Sequence, residues 1–318
     1  MKKIFRNIFI LCSILYAIFW VLDLGFTSVY KKGDYTKIQW LYNMNDQHYD
    51  YAVHGSSRAY TTINVKEIEK SIGLKGINLA VDGSTIPDQY LMVKIFLENN
   101  NTIDHLYLQI DPWATNIEEV SEFAIPKFFP YLKEERVFNH FKQFGAKWYA
   151  YKYIPFLRYA EYNTIWGVHQ LLNEGFDLFP QDFDMYGCYF YTEENYRGEM
   201  ALQKMAFDLD GDYKFLNQII NLCKENNVEL TLFTSPVANI KLNEEYIENM
   251  SAFKNKMIAD NINYFNYGDL FGNDTYFFTD EIHLNKYGVN DFTKTIINVL
   301  KNDFGIEKKI SSLSEPYQ

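Results

Sequence analysis

Asp280 and His283 stand three residues apart in the segment Asp-Glu-Ile-His-Leu-Asn-Lys-Tyr-Gly (280–288). That spacing puts both groups in one turn, where the carboxylate can accept from the imidazole N–H. An imidazole held in one tautomer is a general base, and the carboxylate stabilises the imidazolium formed when it takes a proton. Far away in the chain, His54-Gly55-Ser56-Ser57-Arg58 presents hydroxyls after a short apolar segment. A serine on a tight turn after a buried strand is exposed, and the amides opening the next helix favour negative charge there. Hydroxyl, imidazole and carboxylate are the parts of nucleophilic acyl transfer. Each cluster alone has rivals: Gly-Ser turns are common punctuation, and Asp-x-x-His also suits a metal or a plain surface loop. The chain lacks the additional His or Cys cluster expected of a zinc site, so no metal and no other cofactor is expected.

Both clusters fall at the joints of an alternating pattern. Residues 50–57, 76–81 and 105–110 read as buried strands, separated by helical periodicity over 65–73 and 87–100, with Gly73 a stop and Pro87 in a first turn. Helices are expected again over 213–227, 244–261 and 287–302, with strands at 228–236 and 262–267. This is an α/β chain: a three-layer α/β/α fold with a mostly parallel sheet. Ligand crevices in such sheets lie outside the carboxyl ends of the strands. Ser57 follows the first strand, Asp82-Gly83 the second, and Asp111 the third. The stretch 113–210 breaks the pattern and reads as a mainly helical insertion placed to roof that crevice. Residues 123–159 hold thirteen aromatics in thirty-seven positions. Core packing, a sugar-stacking cleft and a surface resting on a membrane are the three readings. His105, His140 and His169 read as structural or exposed, the acidic runs 118–122 and 193–199 as solvated faces, and the tail after 307 as frayed.

Composition narrows the partners. Hydrophobic residues make up 47% of the chain and aromatic residues 18%, enough for a sizeable core. The net charge is −11, and Lys2, Lys3 and Arg6 make the first thirty residues net positive, so the rest is more acidic than the whole. Such a body is a poor partner for nucleic acid. Residues 8–22 carry no charge, and apolar character continues to Phe26 past Asp23. A span of this length crosses a bilayer if Asp23 sits at the interface with its carboxylate in water. A cleaved signal peptide is the rival, but residues 22–28 match a small-x-small site weakly. The expectation is an anchor over 1–30 and one elaborated domain over 31–318. The anchor is single-pass in the cytoplasmic membrane, with its N-terminus inside and the body outside. Cys188 and Cys223 can pair in an oxidising compartment or remain two buried thiols.

Taken together, the two clusters resemble the SGNH (GDSL-like) hydrolase superfamily, whose serine follows the first strand and whose Asp-x-x-His closes the domain. The resemblance implies a flavodoxin-like fold, Ser57 as nucleophile, His283 as base and Asp280 as its orienting partner. It implies an oxyanion hole from the amides of Ser57 and Gly83. The third block departs: where the family offers Gly-x-Asn, this chain has Gln109-Ile110-Asp111. An ionised Asp111 would repel an oxyanion, and losing one donor costs about 2.7–4 kcal/mol of transition-state stabilisation; Asn116 is the candidate to swing in. Arg58 and Asp111, with Asn116, are the candidate substrate contacts. A narrower likeness rests on the anchor, Gly55-Ser56-Ser57-Arg58, Pro155-Phe156-Leu157-Arg158-Tyr159, Thr234-Ser235-Pro236 and His283-Leu284-Asn285. These resemble membrane-anchored SGNH-like proteins that work beside multi-pass membrane-bound O-acyltransferases, such as the D-alanyl transfer and alginate acetylation proteins. That likeness implies a serine O-acyltransferase or esterase acting on acyl esters of an exported glycan. A carbohydrate deacetylase and a non-catalytic glycan-binding scaffold are the alternatives.

Overall fold

A computed structural model describes residues 1–33, 35–162, 182–192, 196–198, 211–238, 244–272 and 274–306, with single positions between 168 and 176. His169, most of the acidic run 193–199, the end of the stretch read as an insertion and the tail after 307 lie outside the described residues. The chain divides into two compact units, Met1–Asn43 with Glu119–Asp182, and Met44–Glu118 with Phe183–Gln318.

The second unit is built on a five-stranded sheet in the order β2-β1-β3-β4-β5, every neighbouring pair parallel. The strands are β1 (His48–His54), β2 (Gly76–Asn78), β3 (Thr102–Gln109), β4 (Glu229–Thr234) and β5 (Asn263–Asn266). Parallel connections are right-handed, so reversing the direction of travel across the sheet switches the face that the crossover helix covers. The chain moves one way from β1 to β2 through α4 (Val65–Ile72), then back across β1 to β3 through α5 (Ile86–Glu98). Accordingly α4 packs with the last helix, α12 (Lys286–Asp303), while α5 packs with α10 (Lys214–Glu225). This is the α/β fold expected, with its chain reversal between β1 and β3. Tyr51, Ala52 and Val53 of β1 and Leu106 and Leu108 of β3 are fully buried; Val53, Leu106 and Leu108 each contribute about 1.5–3 kcal/mol.

Local chemistry explains the boundaries. Asn64 caps α4 by accepting from Glu67 N–H, and Gly73 ends it in the left-handed region. Thr85 and Asp88 form a capping box at α5. The second strand is shorter than its apolar run, although Leu79 N–H still donates to the Val53 carbonyl; on the outer edge of the sheet Asn78 N–H donates to the Tyr186 carbonyl. The third begins at Thr102 rather than 105. His105 is buried against Thr231, and burial lowers its pKa, in line with a structural histidine. Cys188 and Cys223 are buried free thiols, and Cys188 Sγ donates to the Ile63 carbonyl.

The first unit joins the apolar helix α1 (Lys2–Lys32) to short helices, among them α8 (Lys147–Tyr153) and α9 (Leu157–Tyr162). The helix is long and apolar enough to cross a membrane. Its residues up to Leu22 are exposed, and then Asp23, Phe26 and Tyr30 turn one buried stripe towards the helical segment. Asp23 departs from expectation. Its carboxylate does not reach water: it is 1% exposed, and it accepts from Lys133 Nζ (2.6 Å) and Phe156 N–H (2.9 Å) and pairs with the Arg158 guanidinium (2.6 Å). Nine of the thirteen aromatics in 123–159 are buried, including Phe141, Trp148 and Tyr151, so most of that excess is core.

Candidate active site

The turn after β1 is shaped by backbone geometry. Gly55 has φ of +146°, and a Cβ there would sit 2.9 Å from Gln109 Cβ and from its carbonyl oxygen, so only glycine fits. Ser56 then caps the short helix α3 (Ser57–Tyr60): its Oγ accepts from Arg58 N–H and donates to Gln109 Oε1 at 3.1 Å. With Ser56 occupied by this structural work, Ser57 is the hydroxyl left at the first helical position.

The second cluster sits on a tight antiparallel loop. Phe278 and Leu284, both fully buried, bridge its base, and Thr279 N–H donates to the His283 carbonyl. Asn285 closes it: Oδ1 accepts from Tyr287 and Gly288 N–H to cap α12, while Nδ2 donates to the Tyr276 and Phe278 carbonyls. A Cβ on Gly288 would lie 2.3 Å from the Phe277 carbonyl oxygen, so glycine lets the helix seat against the loop.

Ser57 and the loop meet across 226 residues of sequence. Ser57 Oγ lies 2.9 Å from His283 Nε2, and His283 Nδ1 lies 2.9 Å from both Asp280 carboxylate oxygens. Asp280 Oδ1 also accepts from the Ile282 and His283 N–H groups at 2.9 Å. Burial pushes the Asp280 carboxyl up, but the His283 hydrogen bond and charge, with those two backbone donors, outweigh it and hold it below the usual carboxylate range. An ionised Asp280 favours the tautomer with the proton on Nδ1, leaving Nε2 to accept from Ser57. The His283 side chain is 14% exposed, so the triad is sheltered yet reachable.

Gly83 approaches the same turn. Val81 N–H and Ser84 Oγ both donate to the Gly55 carbonyl at 3.2 Å, which brings the Asp82-Gly83 turn against the Gly55–Ser57 loop, with Gly83 at φ of +67°.

Three sequence expectations change. Arg58 is 2% exposed and spent on structure: its guanidinium pairs with Asp111 and donates to the Ser235 and Pro236 carbonyls. It straps the ends of β1, β3 and β4 together and offers substrate no free face. Asp111 is correspondingly not a lone anion, since its charge is matched by Arg58, and the repulsion expected of it is largely cancelled. Asn116 Oδ1 accepts from Tyr213 N–H and its carboxamide lies against Gly211, which places the residue on that turn.

Sequence reading missed a row of tyrosines beside His283. The Tyr191 ring centroid is 5.3 Å from that of His283, Tyr189 meets Tyr191 edge-on, and Tyr60 stacks on Tyr189. The only signal was the run Tyr189-Phe190-Tyr191 within the aromatic-rich stretch. His48, Asp50 and Asp104, a group with metal-ligand atoms within reach of one another, lies at the opposite ends of β1 and β3 from Ser57, with His48 and Asp104 exposed and Asp50 half-buried.

No protein-family model and no curated protein matches the sequence. Among solved structures, the chain is similar to a proposed acylhydrolase from Bacteroides fragilis NCTC 9343, at 11% identity and a TM-score of 0.38, covering 81% of this chain and 89% of that one. It is also similar to a proposed platelet activating factor from Streptococcus pneumonia, at 11% identity and a TM-score of 0.37, covering 91% and 98%. The chemistry of the site therefore rests on its own geometry.

Proposed function

We propose that this chain is a membrane-anchored, SGNH-like serine O-acyltransferase or esterase that works outside the cytoplasmic membrane on acyl esters, foremost acetyl esters, of an exported glycan. The observation that carries the reading is the unbroken relay of 2.9 Å contacts from Ser57 through His283 to Asp280. It also weighs against a non-catalytic scaffold, which has no use for a correctly ordered triad.

In the reaction, Ser57 Oγ attacks the acyl carbonyl carbon as His283 Nε2 takes its proton. The carbonyl electrons move to oxygen, and the Ser57 and Gly83 amides receive the oxyanion. Collapse breaks the bond to the leaving alkoxide, which collects the proton from His283, and the acyl group stays on Ser57. An acceptor hydroxyl then gives its proton to His283 and attacks the acyl carbon; Ser57 leaves and is reprotonated. A sugar hydroxyl as acceptor gives transfer, and water gives hydrolysis. The tyrosine row beside His283 and the acidic surface favour a neutral sugar over a polyanion.

A multi-pass membrane-bound O-acyltransferase is the proposed source of the acyl group. Burial of Asp23 against Lys133 and Arg158 supports a retained anchor: removal of the helix would strip a fully buried guanidinium of its counter-charge.

The test is a serine-directed acylating or phosphonylating probe on the full chain in detergent. Labelling at Ser57 that vanishes in Ser57→Ala supports the reading, and equal labelling in that variant refutes it. Product analysis with an acetylated donor and an oligosaccharide acceptor separates transfer from acetate release.

A further inference from the structure

We infer that the segment 149–156, with its exposed Tyr149, Tyr153 and Ile154, lies in the headgroup layer of the bilayer crossed by α1, so that this protein rests on the lipid surface as well as being tethered to it. The inference rests on the proposed membrane-spanning role of α1, and every residue used belongs to the first unit.

The depth is set by charge. Sixteen residues separate Arg6 from Asp23, about 24 Å of helix. A hydrocarbon core is about 30 Å thick. Arg6 can make up the difference at its end by extending its long side chain to the headgroups. Asp23 has a short side chain and no such reach, so it lies at or just inside the boundary of the core. A carboxylate there needs protein partners, and this one has them: Lys133, Arg158 and the Phe156 N–H leave it 1% exposed. Those partners must share its level.

Phe156 is therefore at the membrane boundary, and its ring packs against Phe26 and lies 6.4 Å from Phe19, two turns deeper along the helix. The residues just before it are apolar and amphipathic side chains turned outward. Tyr153 is 65% exposed and Ile154 51%. Tyr149, one helical turn earlier, is also exposed, while Trp148 and Tyr151 point into the core. Tyrosines with an apolar body and a polar tip concentrate at this level of a bilayer. Lys152, half-buried with its ammonium over the Phe138 ring and 5.6 Å from the Tyr153 ring, supplies a cation beside them. A lipid surface is the occupant that the continuity from α1 requires, because the same helix supplies both the span and the partner of Phe156.

Depth-dependent quenching in liposomes of zwitterionic and anionic phospholipid tests this with the full chain. Cys12 in the native sequence, and Cys12→Ser/Tyr153→Cys in a variant, each carry an environment-sensitive fluorophore. Nitroxides are placed either at the lipid headgroup or near the acyl-chain ends. The label at 12 should be quenched best by the deep nitroxide. The label at 153 should be quenched by the headgroup nitroxide at least about twofold more than by the deep one, as for a segment at the headgroup–acyl boundary. Deep quenching at 12 with none at 153 overturns the inference and leaves the anchor standing. No quenching at 12 removes the anchor and the inference together. Tyr153 is an exposed position, so its replacement leaves the fold intact.

Discussion

Removing Asp111 while keeping Arg58 should unfold the protein at a markedly lower temperature, because it takes a counter-charge from a buried guanidinium. The Arg58 side chain is 3% exposed and that of Asp111 13%, and the guanidinium also donates to the neutral carbonyls of Ser235 and Pro236. Deleting one partner of a buried ion pair typically costs about 3–5 kcal/mol. Each kcal/mol shifts Tm by about 2–4 °C in a domain of 150–250 residues. Asp111→Ala should therefore lower Tm by roughly 6–20 °C. Asp111→Asn should be milder, since its amide oxygen still accepts from Arg58. Arg58→Ala should also destabilise, by leaving Asp111 uncompensated and the strand ends unstrapped. The double variant should cost less than the two single losses together, with a coupling of about 0.5–3 kcal/mol. Thermal unfolding of the four proteins in one detergent, followed by near-ultraviolet circular dichroism, gives the cycle; KM on an acyl ester is measured alongside. An unchanged Tm with a raised KM in Asp111→Ala would refute the strap and return both residues to substrate binding.

Other outcomes follow from the same geometry. Asp280→Asn should lower kcat on the order of 10⁴-fold through loss of the preferred His283 tautomer; turnover near that of the unaltered protein would remove Asp280 from the relay. Because the folded Asp280 carboxyl is held below its unfolded value, its stabilisation is present above pH about 3.9 and lost as pH falls through the folded pKa. The Tm gap between the unaltered protein and Asp280→Asn should therefore close in acid, and a gap that widens below pH about 4 would contradict the sign. Asn285→Ala removes a helix cap and two donors to loop carbonyls at once; it should cost at least about 1–2 kcal/mol in denaturant titration and slow acylation of Ser57, whereas neutral behaviour would show that the loop holds itself. Burial pushes the Cys223 thiol up to about 12, so thiol reagents should modify Cys223 only on unfolding; rapid labelling of the native protein would show the helix opening locally.

The chain's local grammar explains how much of this was legible without a structure. Alternating buried strands and amphipathic helices identify α/β, and caps such as Asn64, Thr85 and Asn285 set the starts of α4, α5 and α12 within a residue or two. Asp280 and His283 are legible for the same reason: an i, i+3 pair meets through its own turn, whatever the rest of the chain does.

Contacts distant in sequence were beyond that grammar. Ser57 and His283 are 226 residues apart, and they touch because β1 lies inside the sheet while the Asp280–His283 loop precedes the helix that covers the same face as α4. Arg58 read as a candidate substrate contact until the order β1-β3-β4 set it between Asp111 and the Ser235 carbonyl. Asp23 read as an interfacial charge in water until Lys133 and Arg158, more than a hundred residues on, closed over it. By itself, then, the sequence determined the fold class, the hydrogen-bonded pair Asp280 and His283 and the presence of an apolar span, because periodicity, capping and short spacing are local. Only the tertiary structure decided which charges are paired, which serine faces His283 and which aromatics remain exposed, because those depend on strand order and burial, and neither is written at any single position.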